Sequence, residues 1–285
     1  MAGNLMETKS VPGLELPVLG LGTWKMMGHY GPELGLDSKN LDAIRVALEM
    51  GVTHIDTAER YAGGHAERIV GKAIKGFDRA KLFITSKVAV SLGHNEVMEA
   101  CRKSLERLGT SYLDMYLVHW PTEEMDLKET MGAFSDLVDM GLVKRIGVSN
   151  FPVSLLKEAQ KNARHRIVCN QVEYSLLARE KSWKISKMES EVIPYCQRNG
   201  IMIVAYSPFA NGRVFKEDLP ALDGICEKLG KTRAQVAVNW LLAKPGIVTI
   251  AKASSPGHWK DIMGSLGWRL SVEDSKKLDS MEGAR

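Results

Sequence analysis

One pattern recurs along the chain and limits its fold more than any other feature: an amphipathic helical stretch, a glycine, then a short apolar run. Leu41, Ile44 and Leu48 fall at helical spacing, Gly51 stops that helix, and Thr53–Ala58 reads as a strand. Val70, Ile74 and Phe77 mark the next helix, ahead of a strand at Leu82–Val88. Val97, Cys101, Leu105 and Leu108 lead to Gly109 and the strand Tyr112–His119. Leu127, Met131, Phe134 and Val138 lead to Gly141 and Val143–Val148. A helix at Val153–Ala163 precedes Ile167–Val172, and Gly200 closes another before Ile201–Tyr206. Thr232 and Gln235 form a capping box that opens a helix through Trp240, before the strand Ile247–Ala251. Glycine suits the position just past a helix because it accepts the left-handed conformation that satisfies the last carbonyls. With Val18–Thr23 at the front, eight strands alternate with helices.

These strands are continuous apolar runs, so both of their faces are expected to be covered. Alternating parallel strands and helices of this number predict an α/β fold of the (β/α)8 TIM barrel type. A doubly wound open sheet is the alternative, but its dinucleotide fingerprint is missing. Gly20-Leu21-Gly22 begins a G-x-G-x-x-G, yet position 25 is Lys. No linker or low-complexity segment breaks the alternation, which predicts one domain over residues 1–285. The segment Val11–Val18, Val-Pro-Gly-Leu-Glu-Leu-Pro-Val, predicts an N-terminal β-hairpin closing the barrel's lower end. Two longer stretches, Lys25–Asp37 and Ala178–Ser190, fall at carboxyl ends of strands, the face where barrels build their sites.

Composition narrows the function. Thirty-eight basic and thirty-four acidic residues leave a formal charge of +4, too small an excess over 285 residues to suggest nucleic acid or a membrane surface. No apolar run approaches the ~18 residues of a spanning helix. Met1–Ser10 lacks the charged and apolar regions of a signal peptide. The four cysteines, Cys101, Cys169, Cys196 and Cys226, form no C-x-x-C pair and read as free thiols of a cytoplasmic protein rather than metal ligands.

Polar residues gather at the carboxyl ends of the strands. The second ends in Asp56-Thr-Ala-Glu-Arg-Tyr61, the third in Ser86-Lys87, and the fourth in His119-Trp120. The fifth gives Ser149-Asn150, the sixth Gln171-Val-Glu-Tyr174, and the seventh Tyr206-Ser207. Asp, Tyr, Lys and His together make a proton-transfer set. A free phenol titrates near pH 10 and donates poorly at neutral pH. An ammonium within ~4–6 Å favours phenolate and lowers that value, and a carboxylate can hold the ammonium in place. Lys87 and Asp56 can play these parts toward Tyr61, while His119 hydrogen-bonds a substrate oxygen. Such a set suits carbonyl reduction, where oxygen receives a proton as carbon receives hydride. Taken singly, the Asp–Lys pair also reads as a structural ion pair, His119 as a strand-end hydrogen bonder and Tyr61 as core.

Longer motifs carry a resemblance. Gly51-Val-Thr-His-Ile-Asp-Thr-Ala-Glu-Arg-Tyr61, with Gly63-Gly-His-Ala-Glu67 and Val70-Gly71, resembles the first signature of the aldo-keto reductases. Ile84-Thr-Ser-Lys87, Leu117-Val-His-Trp-Pro121, Ile146-Gly-Val-Ser-Asn-Phe151, Asn170-Gln-Val-Glu-Tyr174 and Ala205-Tyr-Ser-Pro208 continue the match in order, from about Val11 to Glu273. The resemblance implies a cytoplasmic, monomeric NAD(P)H-dependent reductase of aldehydes and ketones. In it Tyr61 is the proton donor, Asp56 and Lys87 tune it, and His119 orients the carbonyl. It also places Gly22, Thr23, Trp24 and Asp56 near the nicotinamide ribose, and Ser149, Asn150 and Gln171 on the carboxamide. Tyr206 would stack on the ring, and Ser207, Phe209 and Gly212 belong to a loop over the pyrophosphate.

The chain also departs from the family pattern. Where NADP-dependent members read I-P-K-S-x-x-x-x-R-x-x-E-N, it reads Ile250-Ala-Lys-Ala-Ser-Ser-Pro-Gly-His258-Trp-Lys-Asp-Ile262. Lys252 is kept for the 2′-phosphate. Ala253 and Ser254 fill the next positions, His258 replaces an arginine, and Asp261 replaces a glutamate. Arginine grips phosphate bidentately and is always charged, whereas histidine is neither, so NADP(H) is expected with NAD(H) also used. For substrate, Trp24, His29, Tyr30 and Trp120 would line an open aromatic pocket for small or polar carbonyl compounds. Two rivals stand beside this reading: a non-catalytic nucleotide binder, and a metal-dependent hydrolase built on His54-x-Asp56 and His119. Cofactor oxidation against a panel of aldehydes separates the first, and metal content the second.

Overall fold

The computed structural model describes residues 6–28, 31–88, 93–181, 185–253 and 255–281. Eight parallel strands close a barrel: β3 (Leu19–Gly22), β4 (His54–Asp56), β5 (Phe83–Val88), β6 (Met115–Val118), β7 (Ile146–Ser149), β8 (Ile167–Glu173), β9 (Met202–Tyr206) and β10 (Ile247–Ala251). Each pairs with its sequence neighbour, and β10 returns to β3 to complete the ring. The strands are shorter than the apolar runs suggest. Leu113, for example, joins Val143 only through an isolated bridge ahead of β6 and β7.

The expected hairpin is present. Strands β1 (Thr8–Val11) and β2 (Leu14–Pro17) pair antiparallel around Pro12-Gly13, where Gly13 takes φ +85°. Its buried residues Leu14 and Leu16 pack against Met115, Leu117, Val168, Met202 and Val248, which plugs the lower end of the barrel. Lys9 ties the hairpin to the closing strand, donating from Nζ to the carbonyls of Leu242, Lys244 and Ile247 at 2.7–2.8 Å.

Helices α1 (Asp37–Glu49), α2 (His65–Ala73), α3 (His94–Leu108), α4 (Leu127–Asp139), α5 (Val153–Asn162) and α6 (Ile193–Arg198) cover the outer wall with α7 (Pro220–Leu229), α8 (Arg233–Leu242), α9 (Pro256–Met263) and α10 (Val272–Asp279). The reading of Ile74 and Phe77 as helical is corrected. Helix α2 stops at Ala73 with Ile74 as its cap, and Gly76 at φ +91° turns the chain toward β5. The capping box of α8 forms as read: Thr232 accepts from the Gln235 amide, and Gln235 accepts from the Thr232 amide. Cys101, Cys169 and Cys196 are buried free thiols, and Cys226 is half-buried. Among the described residues no helix is long and apolar enough to cross a membrane.

His54 lies wholly inside the barrel, with Nε2 3.2 Å from the Thr85 hydroxyl. Burial pushes its pKa down to about 4. As pH falls through about 6.5 the unfolded chain takes up a proton on this residue, while the folded chain waits until about 4. The unfolded state therefore binds more protons in this window, and stability falls as pH is lowered across it, by up to about 3 kcal/mol for this one group. Denaturant unfolding at several pH values should show this slope, and His54→Gln should flatten it. An unchanged slope in that variant would assign the acid sensitivity elsewhere.

Candidate active site

Both long connections lie at the carboxyl ends of strands. The stretch 25–37 follows β3 and is held down by Asn40, whose amide donates to the Met26 carbonyl at 2.5 Å, and by an Asp37–His65 contact of 2.7 Å. The stretch 178–190 follows β8. Its Glu189 accepts from Tyr174 at 2.6 Å and from Arg179 Nε and Nη2 at 3.0 and 2.9 Å.

Strands from around the ring bring the four residues expected to transfer a proton together. Lys87 is fully buried and its ammonium donates to Asp56 Oδ1 at 2.5 Å, to the Thr57 carbonyl at 2.9 Å and to the Tyr61 hydroxyl at 3.1 Å. The Tyr61 ring stands 5.5 Å from His119 and 4.9 Å from Trp24, centroid to centroid. Lys87 touches both the carboxylate and the phenol.

A strained turn delivers Tyr61. Ala62, Gly63 and Gly64 follow with φ of +49°, +64° and +85°, three left-handed residues in a row. Glycine takes this conformation freely, but alanine does so at a cost of order 1–3 kcal/mol. The turn is braced by Glu67, a residue that the sequence reading quoted without giving it a role. Its buried carboxylate accepts from Ser86, beside Lys87, and from Arg107 of α3, each at 2.5 Å. Gly71 lets α2 approach this close, since a Cβ there would lie 2.7 Å from the Leu108 carbonyl.

Electrostatics differ from the sequence expectation in one respect. The Lys87 ammonium does favour the Tyr61 phenolate, but burial outweighs it and holds the phenol above its ordinary pKa. Burial also opposes charge on Lys87, yet the Asp56 carboxylate prevails and keeps its pKa raised. His119 is driven well below the usual histidine value by burial, then by Lys87 and Arg60, so it is neutral. Its Nδ1 is buried without a protein partner. The arrangement is a protonated phenol beside a fixed cation and a neutral imidazole.

The expected cofactor residues form a connected rim. Tyr206 donates to Asn150 Oδ1 at 3.0 Å, and Asn150 donates to the Ser149 hydroxyl at 2.8 Å. Ser149 in turn donates to the Gln171 carbonyl at 2.9 Å. Gln171 donates its amide to Asp56 Oδ2 at 2.6 Å, so that amide secures the Asp56 carboxylate. Thr23 is fully buried and donates to the Asp56 carbonyl at 3.0 Å, while Gly22 pairs with Asp56 in the sheet. Ser207 and Gly212, at φ +54° and +89°, shape the loop after β9, where Phe209 and Phe215 lie 5.2 Å apart.

At the other side Lys252 and His258 are exposed, Ala253 is buried in the core, and Asp261 accepts from Thr232 at 2.8 Å and Gln235 at 3.0 Å. Asp261 thereby ties α9 to the start of α8. Of the aromatic lining, Trp24 is 40% exposed and Trp120 is half-buried against His119. His29, Tyr30 and Ser254 lie outside the described residues. The hydrolase alternative finds little footing: both Asp56 oxygens are engaged by Lys87 and Gln171, His54 faces Thr85, and no group of three metal-ligating side chains occurs among the described residues.

Known proteins agree with this architecture. The profile of the Aldo/keto reductase family matches residues 18–282. Methylglyoxal reductase YeaE of Escherichia coli (strain K12) is 34% identical over 271 residues, covering 93% of this chain and 91% of its own. A thermostable aldo-keto reductase crystallised with the inhibitor epalrestat superposes with a TM-score of 0.88 at 39% identity, covering 96% of this chain and 99% of its own. An aldo-keto reductase from Klebsiella pneumoniae in complex with NADPH gives 0.85 at 33% identity, with 98% and 97% covered. A barrel with this plug, this tyrosine–lysine–aspartate cluster and these relatives belongs to the aldo/keto reductase family, the oxidoreductases that act on carbonyl groups.

Proposed function

We propose that the protein reduces small aldehydes and ketones to alcohols with NADPH, and that Tyr61 supplies the proton. The observation that carries this reading is the buried contact of Lys87 with both Asp56 and the Tyr61 hydroxyl. When bound, NADPH supplies the hydride for the carbonyl carbon. The chain's own residues do the rest. Tyr61 holds its proton until the carbonyl oxygen becomes basic, because burial keeps the phenol protonated. The phenolate left behind is stabilised by the Lys87 ammonium, whose charge was already present and oriented before reaction. Neutral His119 offers a hydrogen-bond partner to the same oxygen without adding a competing acid. The alcohol leaves with the hydride on carbon and the Tyr61 proton on oxygen, and solvent reprotonates the phenolate.

The rim suits an anionic dinucleotide. Partial burial, and after it the nearby Lys25 charge, lowers the pKa of Lys252, and neither lysine is in an ion pair among the described residues. Lys252 with the amino end of α9 would hold a 2′-phosphate, as helix starts favour anions. Ser149, Asn150 and Tyr206 would meet the nicotinamide end, and the loop at Ser207, Phe209 and Gly212 the pyrophosphate. His258 is the weak point of this set, which supports use of NADH as well. The free thiols fit a reducing cytoplasm. Oxidation of NADPH and NADH with a panel of aldehydes and ketones tests the reading, and a protein that binds either cofactor yet reduces none of them would refute it.

The cofactor preference makes a separate prediction. His258→Arg should tighten NADPH by about fivefold, roughly 1 kcal/mol, with a smaller change for NADH. Fluorescence titration of both cofactors measures this. Equal gains for the two would place residue 258 away from the 2′-phosphate.

A further inference from the structure

Burying a carboxylate is costly unless it is paired and hydrogen-bonded. Among the described residues Glu67 of α2 is the one wholly buried glutamate, and its partners, Ser86 and Arg107, stand outside the proton-transfer set. Each partner leads to one half of the proton-donating contact. Ser86 precedes Lys87 on β5, and successive strand residues face opposite ways. The hydroxyl therefore turns out to Glu67, while the ammonium turns in to Asp56 and Tyr61. Arg107 leads to the turn that carries Tyr61. Its side chain lies directly against Gly64, the last left-handed residue of that turn, where a Cβ would sit 2.9 Å from Arg107 Cδ and Nε. Arg107 is itself fixed, with Nε on Glu67 at 2.5 Å and Nη2 on the Ser104 hydroxyl at 3.1 Å. One helical turn beyond Glu67, Gly71 packs α2 onto the carbonyls of Arg107 and Leu108, which keeps carboxylate and guanidinium together.

We propose that Glu67 is a positioning residue for the reduction: by holding Ser86 and Arg107 at once, it fixes the strand of Lys87 relative to the turn of Tyr61 and so sets the 3.1 Å contact between ammonium and phenol. Three left-handed residues in a row, one of them alanine, persist where the surroundings determine them, and Arg107 is pressed onto this turn from outside the barrel. The ammonium stabilises the phenolate that forms during reaction and makes no contribution to holding the aldehyde beforehand. A loosened contact therefore lowers kcat and leaves KM nearly unchanged.

This inference rests on the carbonyl reductase reading, and one of its readouts needs no turnover. Glu67→Ala should lower single-turnover reduction by roughly 10–100-fold, the scale of a misplacement of about 1 Å, with KM and cofactor affinity close to wild type. The alkaline limb of the pH profile should move to higher pH, because the Lys87 charge lowers the Tyr61 pKa and a longer contact weakens that effect. Glu67→Gln, which can still accept from Arg107 and donate to Ser86, should keep most of the rate. Ser86→Ala cuts the link to β5 but leaves the Glu67–Arg107 pair, so it should slow reduction at a smaller loss of stability, and it carries the test should Glu67→Ala not fold. Glu67→Ala/Ser86→Ala should be no slower than Glu67→Ala, since both remove one linkage. Arg79→Ala is the control: it breaks the 2.7 Å pair with Asp114, ahead of β6, and should cost stability without changing kcat or the pH profile. A crystal structure of Glu67→Ala should show the Tyr61–Lys87 contact lengthened. Folded Glu67 and Ser86 variants with wild-type kcat and pH profile, or an unchanged Tyr61–Lys87 distance, overturn the role of Glu67 and leave the reductase reading standing. A wild type that reduces no carbonyl compound refutes that reading, and the distance in the variant then decides the role of Glu67 by itself.

Discussion

Tyr61→Phe should lower the turnover of carbonyl reduction by about 10²–10⁴-fold, the range that general acid catalysis supplies, while cofactor affinity and thermal stability stay close to wild type. Only the hydroxyl is lost. The ring keeps its packing against Trp24 and His119, and the Lys87 ammonium keeps Asp56 and the Thr57 carbonyl as partners. One hydrogen bond to the lysine disappears, a change of about 1 kcal/mol or less. The pH profile of the wild type adds a check with a definite sign. Burial raises the Tyr61 pKa and lowers that of His119, so the working state, phenol protonated and imidazole neutral, spans neutral pH. Reduction should fall on the alkaline side as the phenol ionises and on the acid side only when His119 takes a proton. Stopped-flow turnover with cofactor titration distinguishes the cases. A Phe variant that keeps most of its rate would make another group the donor.

The barrel was legible because its signals are local and repeated. Glycine after an amphipathic stretch marks a helix end whatever the tertiary setting, as Gly109 at φ +64° and Gly141 at φ +73° do. Strand limits were less legible, since an apolar run continues past the last ladder bond wherever the wall stays buried, as at Leu113 before β6. In the site, Asp56, Lys87 and His119 were readable as strand-end polar residues. What the sequence hid is the direction of side chains that leave the strands. Glu67 sits on a helix with charged neighbours and looks like a solvent residue, yet it is fully buried between Ser86 and Arg107. Gln171 and Thr23 matched cofactor positions, but both give hydrogen bonds to Asp56. The balance at Tyr61 was hidden for a different reason: a sequence shows which cation is near a phenol, but not how much water burial has removed from it.

Lys87→Met tests the element on which the mechanism depends most, and it should fail in two separable ways. The first is structural. Lys87 and Asp56 are both buried, so removing the ammonium leaves a carboxylate with the Gln171 amide as its remaining side-chain donor. Breaking one side of a buried pair typically costs about 3–5 kcal/mol, because the orphaned charge keeps its desolvation penalty. The second is chemical. Without the cation, the Tyr61 pKa rises further, since burial is no longer opposed, and the phenolate formed on proton transfer has no counter-charge. Turnover should fall by at least about 10²-fold even at temperatures where the variant is fully folded. The double variant Asp56→Asn/Lys87→Met separates the two effects, because it removes the orphaned charge as well. It should recover most of the lost stability, as buried pairs replaced on both sides often do, and none of the lost turnover. Chemical denaturation gives the first quantity and single-turnover reduction the second. If the double variant regained activity together with stability, Lys87 would be a structural ion-pair partner, and the proton-donating power of Tyr61 would need another source.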